Sequence, residues 1–377
     1  RGVNPASTII RYTGTSSSQG LLKLQGSSTN WIENVTVENM TLDCNLLIQY
    51  GYWANYLRKA TVRNIVVKGH KNISDWGCGI IVGLRDGGIT IENCRIIAGS
   101  GSSTSIGGIW ITNRDDGDNR TLVTGNYVED QNVGIFIEDR AKRVIVTNNF
   151  VKDCQEGIRT AGTTPCEFLV IEGNHILNAS GNGIHIGDKA QFVNVTSNLI
   201  EGGGYGIFAR DLSNVTIGNN TIKGGSQRGI HLESGVEVVI EGNSILNTNA
   251  DGIGVLDGCK TVSVNSNTVV GSGSMGIRVH NVGGGSNPSN TVITGNNVKN
   301  SARLSSDSSG IYLGNATDCI VGNNRSYDDQ ATKTQEYGIQ EAGSSNYNII
   351  VGNDARGNKI GGITTVGAND VVANNLQ

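Results

Sequence analysis

Three of the chain's five histidines stand two or four places after a repeated Gly-Ile pair, beside arginines, carboxylates and aromatic rings. The pair recurs at Gly79, Gly108, Gly134, Gly157, Gly183, Gly206, Gly229, Gly252, Gly276, Gly310, Gly338 and Gly362, at intervals of 23 to 34 residues. The residue after each isoleucine reads Trp110, Phe136, Arg159, His185, Phe208, His231, Gly254, Arg278 and Tyr312 down the chain. Two places further come Glu138, Arg210, Glu233 and His280. Where apolar residues alternate at period 2 and isoleucine points inward, both rows point outward on one strip. Rings beside arginines and carboxylates are what a groove uses to stack sugars and hold their hydroxyls and acids. A second reading has the same aromatic residues covered by a loop or a neighbouring chain.

Catalysis on such a strip centres on His231, Glu233, Arg210, Asp257 and His185. Equivalent side chains on adjacent coils lie about 5 Å apart, so Arg210 should meet Glu233. Hydrolysis of a glycoside needs two carboxyls roughly 5–9.5 Å apart. Glu233 with Asp257 or Asp211 suits that separation, and Glu138, four coils away, does not. A lyase or epimerase needs instead a cation at a uronate carboxylate and a base for the neighbouring proton. His231 or His185 would serve as base, with Arg210 or Arg278 as cation. Trp110, Phe136, Glu138, Arg159, Phe208, Arg278, His280 and Tyr312 would line the substrate path. An ordinary surface ion pair accounts equally for Arg210 and Glu233.

The elements that must carry this strip follow from the repeat. A second motif succeeds each Gly-Ile segment, as in VTGNYV (123–128), IEGNHI (171–176) and IEGNSI (240–245). Its fourth position is Asn126, Asn149, Asn174, Asn198, Asn220, Asn243, Asn267, Asn296 and Asn324 in turn. An amide there can hydrogen-bond the backbone and the next amide along a stack. Asp139, Asp188, Asp211, Asp257, Asn281 and Asn315 close the first strand in the same fashion. Apolar residues recur at period 2 in pieces of three to five, too short for helices. Three such strands per ~23 residues, each pairing with its equivalent one repeat later, predict an all-β, single-stranded right-handed parallel β-helix of about 12 coils. One solenoid domain is expected over 1–377, with irregular coils in 1–78 and regular repeats in 79–377.

Composition agrees. The 377 residues include 54 glycines and 44 asparagines, with only 3 prolines and 2 methionines. Gly and Asn are poor helix formers, which excludes a helical bundle. Hydrophobic residues at 37% and a net charge of −4 exclude disorder. No run approaches 18 apolar residues, so no transmembrane helix is expected.

These motifs resemble the pectin-lyase-like superfamily of right-handed β-helices, in its parallel β-helix repeat branch, over about residues 20–377. The resemblance implies the fold. It does not select an activity, because the superfamily includes pectate lyases, polygalacturonases, alginate epimerases, tailspikes and noncatalytic surface proteins. The Asn-Thr-Asp and Gly-His-Gly pairs of polygalacturonases are absent, as are the paired-arginine motif of pectate lyases and the Asp-Pro-His-Glu stretch of alginate epimerases.

Long turns at 97–107, 112–121, 281–290, 299–309 and 325–337 flank the strip. The segment NRDDGDNRT (113–121) is acidic around a glycine, which invites Ca2+, though its spacing misses the EF-hand register. The aromatic cluster Tyr50, Tyr52, Trp53 and Tyr56 would cap an open end of the helix. Seven cysteines are present, and Cys154 with Cys166 or Cys78 with Cys94 are placed to bridge. Ten Asn-X-Ser/Thr sequons, Asn34, Asn178 and Asn315 among them, are compatible with a glycoprotein. Arg1 in place of an initiator Met suggests a processed chain. The mild negative charge and the lack of a basic stripe argue against nucleic acid. The expectation is a secreted or cell-surface protein, monomeric or homotrimeric, that binds a polysaccharide and cleaves or epimerises it. The alternative is a noncatalytic surface protein, an adhesin or a tailspike-like shaft.

Overall fold

A computed structural model of the chain describes residues 2–27, 29–71, 77–83, 88–97, 106–112, 120–305 and 308–377. Two compact units are present, Arg1–Asn194 and Val195–Gln377. Both are built from short parallel strands wound as a right-handed β-solenoid, about 13 turns in all, with no helix among the described residues.

In the first unit one coil consists of Val133–Glu138, Val144–Thr147 and Phe150–Lys152. The next coil's Glu156–Ala161, Glu167–Glu172 and His175–Leu177 pair with them in parallel and in register. Ile135 faces Ile158, and Val151 faces Ile176. In the second unit the first two strands merge into Tyr205–Gly218 and again into Ile230–Glu241, which pair along most of their length. The inward column Ile207, Ile230, Ile253, Ile277, Ile311 and Ile339 is fully buried. A single repeat has no such column; only stacked neighbours enclose one.

The glycine before each isoleucine answers a lack of space. A Cβ on Gly229 would lie 2.5 Å from Ile245 Cγ2 and 2.7 Å from the carbonyl oxygen of Gly252. Gly252 repeats the arrangement against Val269 and Gly276. Gly51 does the same one coil before Gly79 but precedes Tyr52, so the Gly-Ile pattern does not reveal it.

The asparagine row is a hydrogen-bonded stack. The backbone N and Nδ2 of Asn220 both donate to Asn243 Oδ1 at 3.0 Å, and Nδ2 also donates to Val195 O. The same contacts continue through Asn267, Asn296, Asn324 and Asn353. The left-handed residue at this corner is the one before the stacked amide, for example Asn148, Asn219 and Asn323.

Two expectations are corrected. All seven cysteines are buried free thiols, including Cys78, Cys94, Cys154 and Cys166. They serve as small core residues: Cys154 Sγ donates to Lys152 O at 3.3 Å, and burial pushes its thiol up to about 12. The Tyr50–Tyr56 aromatics do not end the solenoid, because Ser17–Gln25 pairs on their outer side and Tyr52 is fully buried in the core. The acidic residues 113–119 and most of the turn 97–107 lie outside the described residues.

Candidate functional site

The strip exists in both units, and each holds its own cluster. In the first unit Trp110, Phe136 and Arg159 stand at one register position on successive coils. The Trp110 and Phe136 rings lie 5.7 Å apart, and the Arg159 guanidinium lies 5.8 Å from the Phe136 centroid. Trp110 Nε1 donates to Glu138 Oε2 at 3.0 Å. Phe136 is 4% exposed and packs with Val133 and Ala161, so its ring is part of a small outer core. Glu156 gathers the polar groups: Arg159 Nη1 donates to Oε2 at 2.9 Å, Asn182 Nδ2 to Oε1 at 2.7 Å, and His185 Nδ1 lies 3.0 Å from Oε1. Burial pushes the Glu156 carboxyl up, but the His185 hydrogen bond and the Arg159 charge outweigh it and hold it below the usual range.

In the second unit His231 is the centre. Its ring stacks on Phe208 at 4.6 Å and 13°, and Tyr205 meets both rings edge-on. Arg228 Nη1 lies 3.1 Å from His231 Nδ1. A guanidinium can only donate, so Nδ1 accepts and the proton of the neutral ring sits on Nε2. That nitrogen faces Glu233 Oε2 at 3.4 Å. Burial, with the charges of Arg228 and Arg210, pushes the imidazole down to about 4. Both ring nitrogens are therefore engaged and the ring is neutral at ordinary pH.

The neighbouring charges are paired as well. Arg210 Nη2 lies 3.2 Å from Glu233 Oε1, as the coil spacing requires, and Arg210 Nε lies 3.7 Å from Asp211 Oδ2. Asp251, 1% exposed, accepts from Arg228 Nε at 2.7 Å and from the backbone N of Met275, with Arg278 Nη1 at 3.7 Å. Gly254, between His231 and Arg278 in register, leaves the space Arg228 crosses: a Cβ there would meet Arg228 Cδ at 3.1 Å. Asp257 turns away from this network into the following loop, where Oδ1 accepts from the backbone N of Val282 at 2.6 Å.

Further along, Arg278 faces Tyr312 in register, with its guanidinium 5.8 Å from the ring centroid. His280 lies edge-on to Tyr312 at 5.6 Å, and its Nδ1 is 2.9 Å from Gly314 O. A carbonyl oxygen only accepts, so Nδ1 carries a proton and, in the neutral ring, Nε2 is the acceptor.

Glu156, Asn182, Tyr205, Arg228 and Asp251 belong to these clusters although they lie outside the two outward rows. They occupy one further row, the residue immediately before each repeated glycine. The glycine and the isoleucine both face the core (a Cβ on Gly229 would meet Ile245, and Ile230 is fully buried), so position −1 falls on the same face as position +2. Three charged residues in this row (Glu156, Arg228 and Asp251) are the signal that alternation counting passes over.

The match of the right-handed β-helix family model over residues 3–168, 59–209 and 170–293 places the chain in that family. Among solved structures, the A-module of the Azotobacter vinelandii mannuronan C-5 epimerase AlgE6 is similar at 13% identity and a TM-score of 0.59, covering 93% of this chain and 91% of that one. A mutant tailspike protein of E. coli bacteriophage HK620, solved with a hexasaccharide, is similar at 12% identity and a TM-score of 0.51, covering 90% of this chain and 61% of that one. At these identities the likeness is one of fold. No curated protein sequence matches the chain.

Proposed function

We propose that the protein is an extracellular or surface-exposed polysaccharide-active β-helix whose strip in the second unit binds a uronate-containing glycan and removes a proton from it. The observation that carries this reading is His280, whose Nδ1 is tied to Gly314 O while Nε2 is presented as an acceptor beside Arg278 and Tyr312. Arg278 would hold the sugar carboxylate, Tyr312 would pack on the ring, and His280 would take the proton from the carbon bearing that carboxylate. Loss of the glycosidic oxygen from the adjacent carbon, protonated by the His280 imidazolium or by water, completes a lyase reaction; return of a proton from water on the opposite face, with the imidazolium giving its proton back to solvent, completes an epimerisation. The network of Arg210, His231, Glu233, Arg228 and Asp251 then positions the strip, because its donors and acceptors are spent on one another. Hydrolysis fits less well. Glu233, Asp211 and Asp251 are each paired with an arginine, which holds them ionised, whereas glycoside hydrolysis needs a carboxylic acid that donates.

The fold likeness to an epimerase module and a saccharide-bound tailspike supports a glycan ligand in general terms. A noncatalytic glycan-binding or structural surface protein is the second reading, favoured by the engagement of both His231 nitrogens. A panel of polyuronates and neutral glycans decides between them, read by absorbance of unsaturated products, by NMR of epimer ratio and by retention on the immobilised polymer. Turnover that His280→Gln abolishes while retention persists is the expected result. Retention without turnover selects the noncatalytic glycan-binding reading, and neither on any glycan leaves only the structural one.

A further inference from the structure

On the second sheet of the first unit, away from the strip, a cavity of about 350 Å³ is lined by Arg120, Arg143, Ile145, Phe168 and Val170, among others. Ile145 and Val170 face outward at one register position on successive coils, and Ile145 is 42% exposed. Phe168 is 47% exposed and stacks on Phe192, itself 45% exposed, at 5.0 Å and 6°. Phe192 thus backs one side of Phe168, and the other side forms a wall of the cavity.

Phe168 and Phe192 have φ of 57° and 55°, a left-handed conformation that bulky side chains disfavour. In the second unit the equivalent corner is left-handed too, at Asn214, Glu237, Thr261, Asn290, Asp318 and Tyr347. Packing does not require rings at 168 and 192, because both stand out from the surface. Two stacked, half-exposed rings bordering a cavity are a reason to look for a ligand.

We propose that this cavity is a second saccharide-binding site, taking a short acidic oligosaccharide with one pyranose face laid on Phe168 and a carboxylate directed to Arg143 and Arg120. The volume lies within the small-ligand range of roughly 300–1,000 Å³. An aromatic wall with an aliphatic floor suits the C–H face of a sugar, and two arginines at one end complement an acid. A second copy of the chain fits worse, since a two-fold contact would set this arginine-bearing patch against its own image. The site stands independently of His280 and the strip.

Substitution at the left-handed corner makes the test clean. Phe168→Asn places a residue that the conformation prefers, so the fold should gain rather than lose stability. Titration calorimetry would use tetragalacturonate, a mannuronate tetramer, cellotetraose and laurate as probes. Measured in the Arg278→Ala protein, whose strip is weakened, expected are binding of at least one uronate tetramer in preference to cellotetraose and laurate, and a loss of tenfold or more when Phe168→Asn is added. Uronate affinity that Phe168→Asn leaves unaltered in the Arg278→Ala protein overturns the proposal, as do preference for laurate and absence of uronate binding there. A dimer in light scattering that Phe168→Asn dissociates would make the patch a self-interface and also overturn it. Failure of the strip reading leaves these outcomes untouched, because that reading is measured by turnover and by Arg278 and His280.

Discussion

Arg228 sets the state of the second-unit cluster through two contacts. It neutralises Asp251, which is 1% exposed, and it fixes the His231 tautomer by donating to Nδ1. Removing one partner of a buried pair leaves a charge without compensation, so Arg228→Ala is expected to destabilise the fold by about 3 kcal/mol, the lower end of the range because Arg278 stays near Asp251. The same change removes a repelling charge from His231, whose imidazole should rise from about 4 toward its ordinary value. Urea unfolding and NMR titration of the ring measure the two effects separately. The pH dependence follows from linkage. His231 is held below its unfolded value of about 6.5, so the folded state binds fewer protons than the unfolded state between those limits. Its contribution to stability is complete above pH about 6.5 and declines as pH falls toward 4. A ring that titrates near 6.5 in the parent protein, with stability level across that window, would contradict the assigned hydrogen bonding.

The stacked asparagines and the last coils carry the stability arguments at the next scale. Asn243 Nδ2 donates to Ile217 O and Asn267 Oδ1, while its own Oδ1 accepts from the backbone and side chain of Asn220. Asn243→Ala leaves several of these buried partners unsatisfied, at an expected cost on the order of 3 kcal/mol. Asn375→Ala, at a partly exposed position in the same stack, should cost clearly less; equal urea midpoints for the two variants would refute the stack as a buried network. Glu341 breaks the apolar column that Val255, Val279 and Leu313 form, yet it is 2% exposed. Burial and the neighbouring Asp370 carboxyl push it up to about 7. A carboxyl raised on folding makes the folded state bind more protons, so stability is greatest below pH about 4.5 and declines as pH rises to about 7. Glu341→Gln should lack that decline when urea midpoints are compared at pH 5 and 8. This level is also where the sequence is most and least readable. Gly-Ile and the asparagine corner reveal the coils because a missing Cβ and a stacked amide are demands every coil makes alike. Arg228 and Asp251 escape the pattern because glycine and isoleucine both face the core and so reset the alternation, and Gly51 escapes because Tyr52 replaces isoleucine. The free thiols are illegible from spacing alone, since spacing does not show that sulfurs such as those of Cys78 and Cys154 donate to a nearby backbone carbonyl.

For the whole molecule, charge decides how an acidic polymer is met. The chain carries 29 lysines and arginines against 33 aspartates and glutamates, a net −4, so no general field draws a polyanion in. Screening confines surface electrostatics to about 8 Å at physiological ionic strength. Capture of a polyuronate must then rest on arginines placed at the surface, Arg210 and Arg278 in the second unit, each already near a carboxylate that a ligand has to outcompete. Binding is accordingly expected to be modest and to weaken as salt is raised, while retention of a neutral glycan stays level. Arg278→Ala should lower polyuronate affinity on the order of tenfold, about 1.4 kcal/mol. Arg210→Ala should lower it less, because Glu233 is freed at the same time and repels the polymer only from a half-covered position. Affinity electrophoresis in gels containing polygalacturonate or a neutral glucan, run at two ionic strengths, reads all of these shifts together. Retardation that is independent of salt and of Arg278 would show that rings rather than cations hold the glycan, and the uronate specificity proposed for the strip would fall with it.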